Sequence, residues 1–445
     1  MTDPMICRLT DADAADPGRT GGKGANLAVL AQAGLPVPPG FVVVTAAYRQ
    51  FVGEHGLDAV IQRELADIGA DPDAVDVASS RLRRAFESAS MSDGLREQLT
   101  AACTALGDNP LAVRSSATAE DLPEASFAGQ QDTVLNVVGP VALCDAVRRC
   151  WSSLWTARAI AYRRDQDIGH ENISVAVVVQ QMVPAEVAGV LFTADPMSGR
   201  RDHVVIEAAA GLGEAVVGGG TTPERWIIDA PTHGALTRPE RALLAPDQLN
   251  TLVDLGMRAA RIFGVPQDIE WAVHDARCWL LQSRPITSLF PMPPATAPGL
   301  RVYLPVMLFA QGIAEPMTPA GNIFFRAMVS GWFRFWISGQ RPREIGDPPN
   351  FLPIVAHRLF LDATAVLQRP RLAARLVANF RLKDPTGSEA LRTWLSQNSD
   401  RLPRPSGPTL PRGAIIWIPS LLLDVMASLA APARARRRLI AGADR

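Results

Sequence analysis

The 445-residue sequence predicts an α+β chain of two to three domains. Three observations carry that reading. Residues 45 to about 106 have helical spacing. Phe41 to Val44, Ile173 to Met182, Ala188 to Ala194 and His203 to Ala209 are strand-like apolar runs. Two further short runs, Asp268 to Val273 and Arg277 to Ser283, are joined by only His274-Asp275-Ala276, the signature of an antiparallel hairpin.

Composition narrows the class. Hydrophobic residues make up 47% and charged residues 20%, the balance of a soluble globular protein, and a net charge of −1 gives no bulk reason to bind nucleic acid. The five cysteines are odd in number and form no Cys-x-x-Cys pair, so neither a disulfide framework nor a structural zinc site is expected, which points to a cytoplasmic location. Asp3, Asp11, Asp13 and Asp16 stand where a signal peptide would be basic. The long apolar run from Ala414 to Ala431 is broken by Pro419 and Asp424, so no membrane partner is expected. Only two of the 44 basic residues are lysines, Lys23 and Lys383. A lysine here needs a local reason.

In chain order, Thr20 to Leu27 is a glycine-rich turn leading into a helix that ends at Gly34. It is not a Walker A loop, because Pro17 replaces the first glycine and Gly24 the hydroxyl residue. Phe41 to Val44 is a strand and Thr45 caps the next helix. Leu111 to Val113 is a strand that runs into Arg114, Ser115 and Ser116 and then an acidic turn ending at Gly129, before Thr133. A strand end supplying an arginine, hydroxyls and a permissive glycine can build a polyanion site, although a solvated connector has the same composition. Val141 to Arg164 reads as one long amphipathic helix. Ile173 to Met182 and Ala188 to Ala194, separated by Pro184-Ala185-Glu186, read as a hairpin. Gly211 to Gly220 holds five glycines in ten residues, a loop that can lie against a ligand.

The hairpin at Asp268 to Ser283 carries a geometric argument of its own. A tight turn makes residues whose numbers sum to roughly 550 face each other, which sets Glu270 and Gln282 on one face with Arg284 beyond. Trp271, Trp279 and Leu281 then belong to the opposite, core face. A carboxylate and an amide oxygen side by side suit Mg2+ bridging phosphate oxygens, with the arginine forking onto a terminal phosphate. A surface ion pair between Glu270 and Arg284 is the ordinary alternative.

These stretches, LAVRSSATAEDLPEASFAGQQDT, TGGKGANL, CWSSLWTARAIAYR, GLGE and Glu270 followed by Gln282-Ser283-Arg284-Pro285, resemble the superfamily of phosphoenolpyruvate synthase, pyruvate phosphate dikinase and rifampicin phosphotransferase. The resemblance implies a two-subdomain ATP-grasp fold over residues 1–288. It implies that Lys23, Arg114 and Arg284 neutralise the phosphates of ATP in catalysis, that Glu270 and Gln282 hold Mg2+, that Gly129 and Thr133 line the pocket, and that Gln180 to Met182 lie at the adenine edge. Beyond it, residues 289–300 form a proline-rich linker, and residues 301–445 read as a mainly α-helical, partial acceptor-binding-like domain with aromatics at Phe324, Phe325, Trp332, Phe333, Phe335 and Trp336. Core packing accounts for those aromatics by default; a wall for a large apolar acceptor is the alternative. Gln311-Gly312 to Pro319 resembles, less specifically, the opening of the rifampicin phosphotransferase acceptor domain.

The superfamily's chemistry passes a phosphoryl group through a histidine in a Thr-x-Gly-Gly-x-x-x-His-like loop, and none of the six histidines here stands in one. The expectation is therefore an ATP-dependent phosphotransferase of the dikinase type, working with a phosphohistidine domain supplied in trans. The acceptor would be a small molecule, pyruvate or a large apolar molecule such as an ansamycin. A non-catalytic ATP-binding module and an ADP-forming ligase are the competing readings.

Overall fold

The computed structural model describes residues 4–66, 68, 71–117, 121–122, 125–126, 133–165, 169, 173–211, 223–293, 299–306, 316–325, 327, 352–381 and 385–403. It divides into two compact units, Met1–Leu289 and Phe290–Arg445.

Among the described residues the first unit holds two large antiparallel sheets. One takes β1 (Ile6–Arg8), β2 (Gly40–Val43), β3 (Leu111–Ala117), β6 (Thr133–Val137) and β7 (Val175–Gln181), in the order β1-β2-β7-β3-β6, with the two-residue strands β4 (Asp121–Leu122) and β5 (Ala125–Ser126) forming a separate ribbon. The other takes β8 (Val187–Phe192), β9 (His203–Ala210), β10 (Glu224–Asp229), β11 (Ala235–Thr237), β12 (Gln267–His274) and β13 (Arg277–Pro285), in the order β11-β10-β9-β8-β12-β13.

Alternation along the strands assigns each face its cover. In the first sheet Phe41, Val43, Leu111, Val113, Val177 and Val179 face helices α2 (Thr45–Glu54), α3 (Leu57–Leu65), α4 (Pro72–Ser88), α5 (Asp93–Leu106) and α6 (Gly139–Ser152), in a core with Phe51, Ile61, Phe86, Leu99 and Trp151. The alternate residues Val42, Ala176 and Val178 face α1 (Pro17–Gln32), through Leu27 and Ala28. Three residues on, Leu30 of α1 joins the core of the second sheet with Leu191, Ile206, Trp271 and Leu280. One helix thus serves two sheets, since positions 27 and 30 lie on adjoining parts of its surface. The helix Pro246–Phe263, capped on its far side by Gly264 with φ 70°, covers the same core.

Two expectations change. The runs around Val175 and Val187 are strands but do not pair with each other. Both edges of β7 are occupied, by β2 and β3, and β8 lies between β9 and β12. The segment Met182–Glu186 carries the chain from one sheet to the other, pinned where the Met182 N–H donates to Pro110 O and the Glu186 N–H to Val273 O, both at 2.9 Å. The helix expected from Val141 to Arg164 is broken into α6, a 3-10 turn at Ser153–Trp155 and α7 (Ala157–Asp165). Hydroxyls compete with the helical ladder there: Ser152 Oγ donates to Arg149 O, Ser153 Oγ to Cys150 O, and Thr156 Oγ1 accepts from the Ala159 N–H.

In the second unit, β14 (Tyr303–Pro305), β15 (Ile354–Val355) and β16 (Arg358–Asp362) form a three-stranded sheet that the sequence reading did not anticipate. Helices Pro370–Arg381 and Pro385–Asn398 pack a small core of Leu304, Leu367, Ala373 and Leu391. Trp332, Phe333, Phe335, Trp336, the Ala414 to Ala431 run and residues 311–315 lie outside the described residues, as do Gly129 and residues 212–222. Among the described residues no helix is long and apolar enough to cross a membrane, and all five cysteines are free and buried.

Candidate active site

The site is built where β3, α1 and the β12–β13 hairpin converge. On β3 the core side chains are Leu111 and Val113, so alternation sends Arg114 and Ser116 to the face shared with α1. Arg114 pairs in register with Val178 on one side and Thr133 on the other. Its Nη1 donates to Glu270 Oε2 at 3.1 Å and lies 3.4 Å from Leu281 O, joining the two sheets. Its Nε is buried with no hydrogen-bond partner among the described residues.

The hairpin places Glu270 opposite Gln282 and Asp268 opposite Arg284, but not through the turn alone: His274 pairs with Arg277 and Trp271 with Leu280, a register that would set Glu270 opposite Leu281. A β-bulge intervenes, in which Leu281 is an extra residue that brings Gln282 into line with Glu270. Cys278 and Leu280, paired with Val273 and Trp271 in the register set at the turn, fill the core, while Trp279 and Leu281 are only half-buried and Trp279 lies 3.8 Å beneath the Arg277 guanidinium. The expectation that Trp279 and Leu281 are core is corrected; Trp271 is fully buried as expected. Arg114 reaches the carbonyl of the residue that the bulge leaves over.

Arg284 does not pair with Glu270. Its Nε and Nη2 both reach Asp268 Oδ2 at 2.8 Å. Burial pushes the Asp268 carboxyl above the ordinary carboxylate range, against the pull of Arg284 beside it. Asp268 is a site residue that sequence reasoning missed, although the register that put Glu270 opposite Gln282 also puts position 268 opposite Arg284. Gln282 is 8% exposed and its carboxamide bonds no described residue.

Lys23 comes from α1. The glycine turn expected before the helix stands at a break between two helical segments: the first starts at Pro17, capped by Asp16, whose carboxylate accepts from the Gly18 N–H at 2.8 Å, and Gly21 separates it from the second. A kink at Gly21, φ 69°, sets the following turn against β3, where Lys23 Nζ donates to Ser115 O at 3.3 Å. Asn26, also unnoticed in the sequence, donates from Nδ2 to Ser283 O at 3.0 Å and ties α1 to β13.

Lys23, Arg114, Thr133, Glu270 and Gln282 are thus gathered around one junction, with Arg284 two residues along β13. Gln180 is on the same face of the first sheet but 2% exposed, its Nε2 donating to Pro38 O at 3.3 Å. The N–H groups of Gln181 and Met182, expected at an adenine edge, donate to Pro39 O and Pro110 O.

A cationic cluster facing a carboxylate and an amide across two antiparallel sheets suits a polyphosphate and its counter-ion. The model of the pyruvate phosphate dikinase AMP/ATP-binding domain matches residues 18–241 and 236–295, which contain every one of these groups. The chain belongs to that family. A rifampicin phosphotransferase of Streptomyces sviceus is 39% identical over 427 residues, covering 89% of this chain and 46% of the relative. The Bacillus cereus rifampicin phosphotransferase is 34% identical, covering 85% and 44%. A probable phosphoenolpyruvate synthase of Methanothermobacter thermautotrophicus is 43% identical over 306 residues, covering 62% and 45%. The chain spans about half the length of the curated relatives it matches.

Proposed function

We propose that residues 1–288 are an ATP-grasp nucleotide-binding domain of a dikinase-type phosphotransferase, whose site is the junction between β3, α1 and the β12–β13 hairpin. The observation that carries this is the reach of Arg114 across the two sheets to Glu270 and to the bulge carbonyl of Leu281. Lys23, Arg114 and Arg284 receive the phosphates, and Thr133 lines the pocket. Gln180 holds the strand end near the base from within the core, through its bond to Pro38 O.

Mg2+ fits the donor set. Glu270 supplies a partly exposed carboxylate and Gln282 an amide oxygen uncommitted among the described residues, both oxygen donors of the kind a hard cation takes. Bound there, it would neutralise phosphate charge as the transferred group departs. The protein's part is positioning and electrostatics: the guanidinium of Arg114, with Nε unspent, presents donors to an anion from a nearly buried setting, where each is worth more than in water.

In this reading the βγ-pyrophosphoryl group of ATP passes to a carrier histidine outside residues 1–445 with release of AMP, water cleaves the β–γ bond to release the γ-phosphate as phosphate, and the β-phosphoryl group left on the histidine passes to the acceptor. Residues 289–300 are a linker and residues 301–445 part of an acceptor-binding domain. The two relatives named rifampicin phosphotransferase favour a large apolar acceptor over pyruvate. The first unit, 289 of 445 residues, is too short to hold an alignment covering 89% of the chain, whereas it can contain the 62% shared with the phosphoenolpyruvate synthase.

With ATP, Mg2+, an added phosphohistidine domain and rifampicin, the chain is expected to form AMP and phosphate in equal amounts, read by ion-exchange chromatography. ADP as the sole nucleotide product would contradict the dikinase reading.

A further inference from the structure

The kink of α1 at Gly21 is bridged by a side chain from another element. In an unbroken helix the Gly24 N–H would donate to Thr20 O. Here the hydroxyl of Ser116 stands between them: Ser116 Oγ donates to Thr20 O at 2.8 Å and accepts from the Gly24 N–H at 3.1 Å. Insertion of a polar group into the ladder is a known cause of sharp helix bends. The neighbouring chemistry is shaped to it. Gly21 takes φ 69°, and a Cβ there would stand 2.1 Å from Ser116 O and 2.3 Å from Ser116 Oγ, so only glycine admits this approach. Thr20 is fully buried and its own hydroxyl bonds Ala14 O and Asp16 O, anchoring the turn from below.

Lys23 lies inside the bridged turn, and Ser116 stands two residues from Arg114 on the same face of β3. We propose that Ser116 is a positioning residue for phosphate recognition: its inserted hydroxyl fixes the turn bearing Lys23 in register with Arg114, so that ammonium and guanidinium meet one polyphosphate. This rests on the nucleotide-site reading above. Ser116 is fully buried and need touch no ligand to do so.

The test is a double-mutant cycle on the full chain, with Kd measured by calorimetry for Mg·ATP and for AMP. Lys23→Ala and Ser116→Ala are each expected to weaken Mg·ATP by about tenfold, the equivalent of one charge-assisted hydrogen bond. AMP affinity should stay within about twofold, because the outer phosphates are what a displaced Lys23 loses. The double variant should bind Mg·ATP no more weakly than Lys23→Ala alone. A merely structural serine would weaken both nucleotides alike and add to the lysine effect, and either result overturns the inference. If Lys23→Ala leaves Mg·ATP affinity unchanged, the site reading fails and the inference with it. If Lys23→Ala weakens binding and Ser116→Ala does not, only the inference fails. Independently of any variant's folding, the Gly24 amide should exchange slowly in the native chain; exchange at the rate of an open helix N-terminus would overturn the hydroxyl bridge.

Discussion

Arg114→Ala is expected to weaken Mg·ATP binding at least about 30-fold, since truncating one member of a hydrogen-bonded charge pair costs about 2–5 kcal/mol and each 1.4 kcal/mol is tenfold. Two roles are lost together: the donors offered to phosphate and the bridge from β3 to Glu270 and Leu281 O. Stability should change little. Glu270 is 29% exposed on its side chain, so water can solvate the carboxylate left behind, and partly exposed ion pairs contribute modestly. Arg114→Lys should recover only part of the affinity, because an ammonium cannot hold the carboxylate and carbonyl while presenting further donors in one plane. Titration calorimetry on the three proteins, beside their thermal melts, separates the binding effect from the folding effect.

Gly189→Ala is expected to have the largest effect on folding. Gly189 lies in β8, between Ala208 of β9 and Trp271 of β12, and a Cβ there would stand 1.8 Å from Glu207 O and 2.9 Å from the Trp271 ring. Neither obstacle is a flexible side-chain end; one is backbone in the middle of the sheet and the other a fully buried indole. The substitution must break a strand pairing or expel the ring, a cost of more than about 4 kcal/mol. Because Glu270 pairs with Val190 in the adjoining register, loss of this pairing also removes the strand that supports the candidate metal ligand. Gly199→Ala is the control: φ is 72° but nothing lies within 4 Å, so only the left-handed backbone penalty of about 1–2 kcal/mol applies. Urea midpoints from tryptophan fluorescence should fall sharply for the first variant and slightly for the second.

What the sequence disclosed depended on how local the information was. Across a short turn, that Glu270 and Gln282 share a face was legible. Their direct pairing was not, because it depends on the extra residue Leu281: between the turn and Gln282 the run Cys278-Trp279-Leu280-Leu281 is apolar throughout, and no alternation marks the bulge. The strands β7 and β8 were legible as strands, but their partners depend on which edges are already filled by residues far away in sequence. Arg114 and Glu270 are 156 residues apart, and only family resemblance linked them before the fold did. Ser116 was visible as a hydroxyl beside an arginine; its insertion into a helix 92 residues earlier was not. Asp268 was overlooked for a different reason: the register argument already applied to it.

A crystal structure of the chain with Mg2+ and a non-hydrolysable ATP analogue would show where the phosphates lie. Phosphate oxygens are expected within hydrogen-bond distance of Lys23, Arg114 and Arg284, and the metal on Glu270 and Gln282. Nucleotide bound elsewhere, with Arg114 donating only to Glu270 and Leu281 O and no metal at Glu270, would contradict this placement.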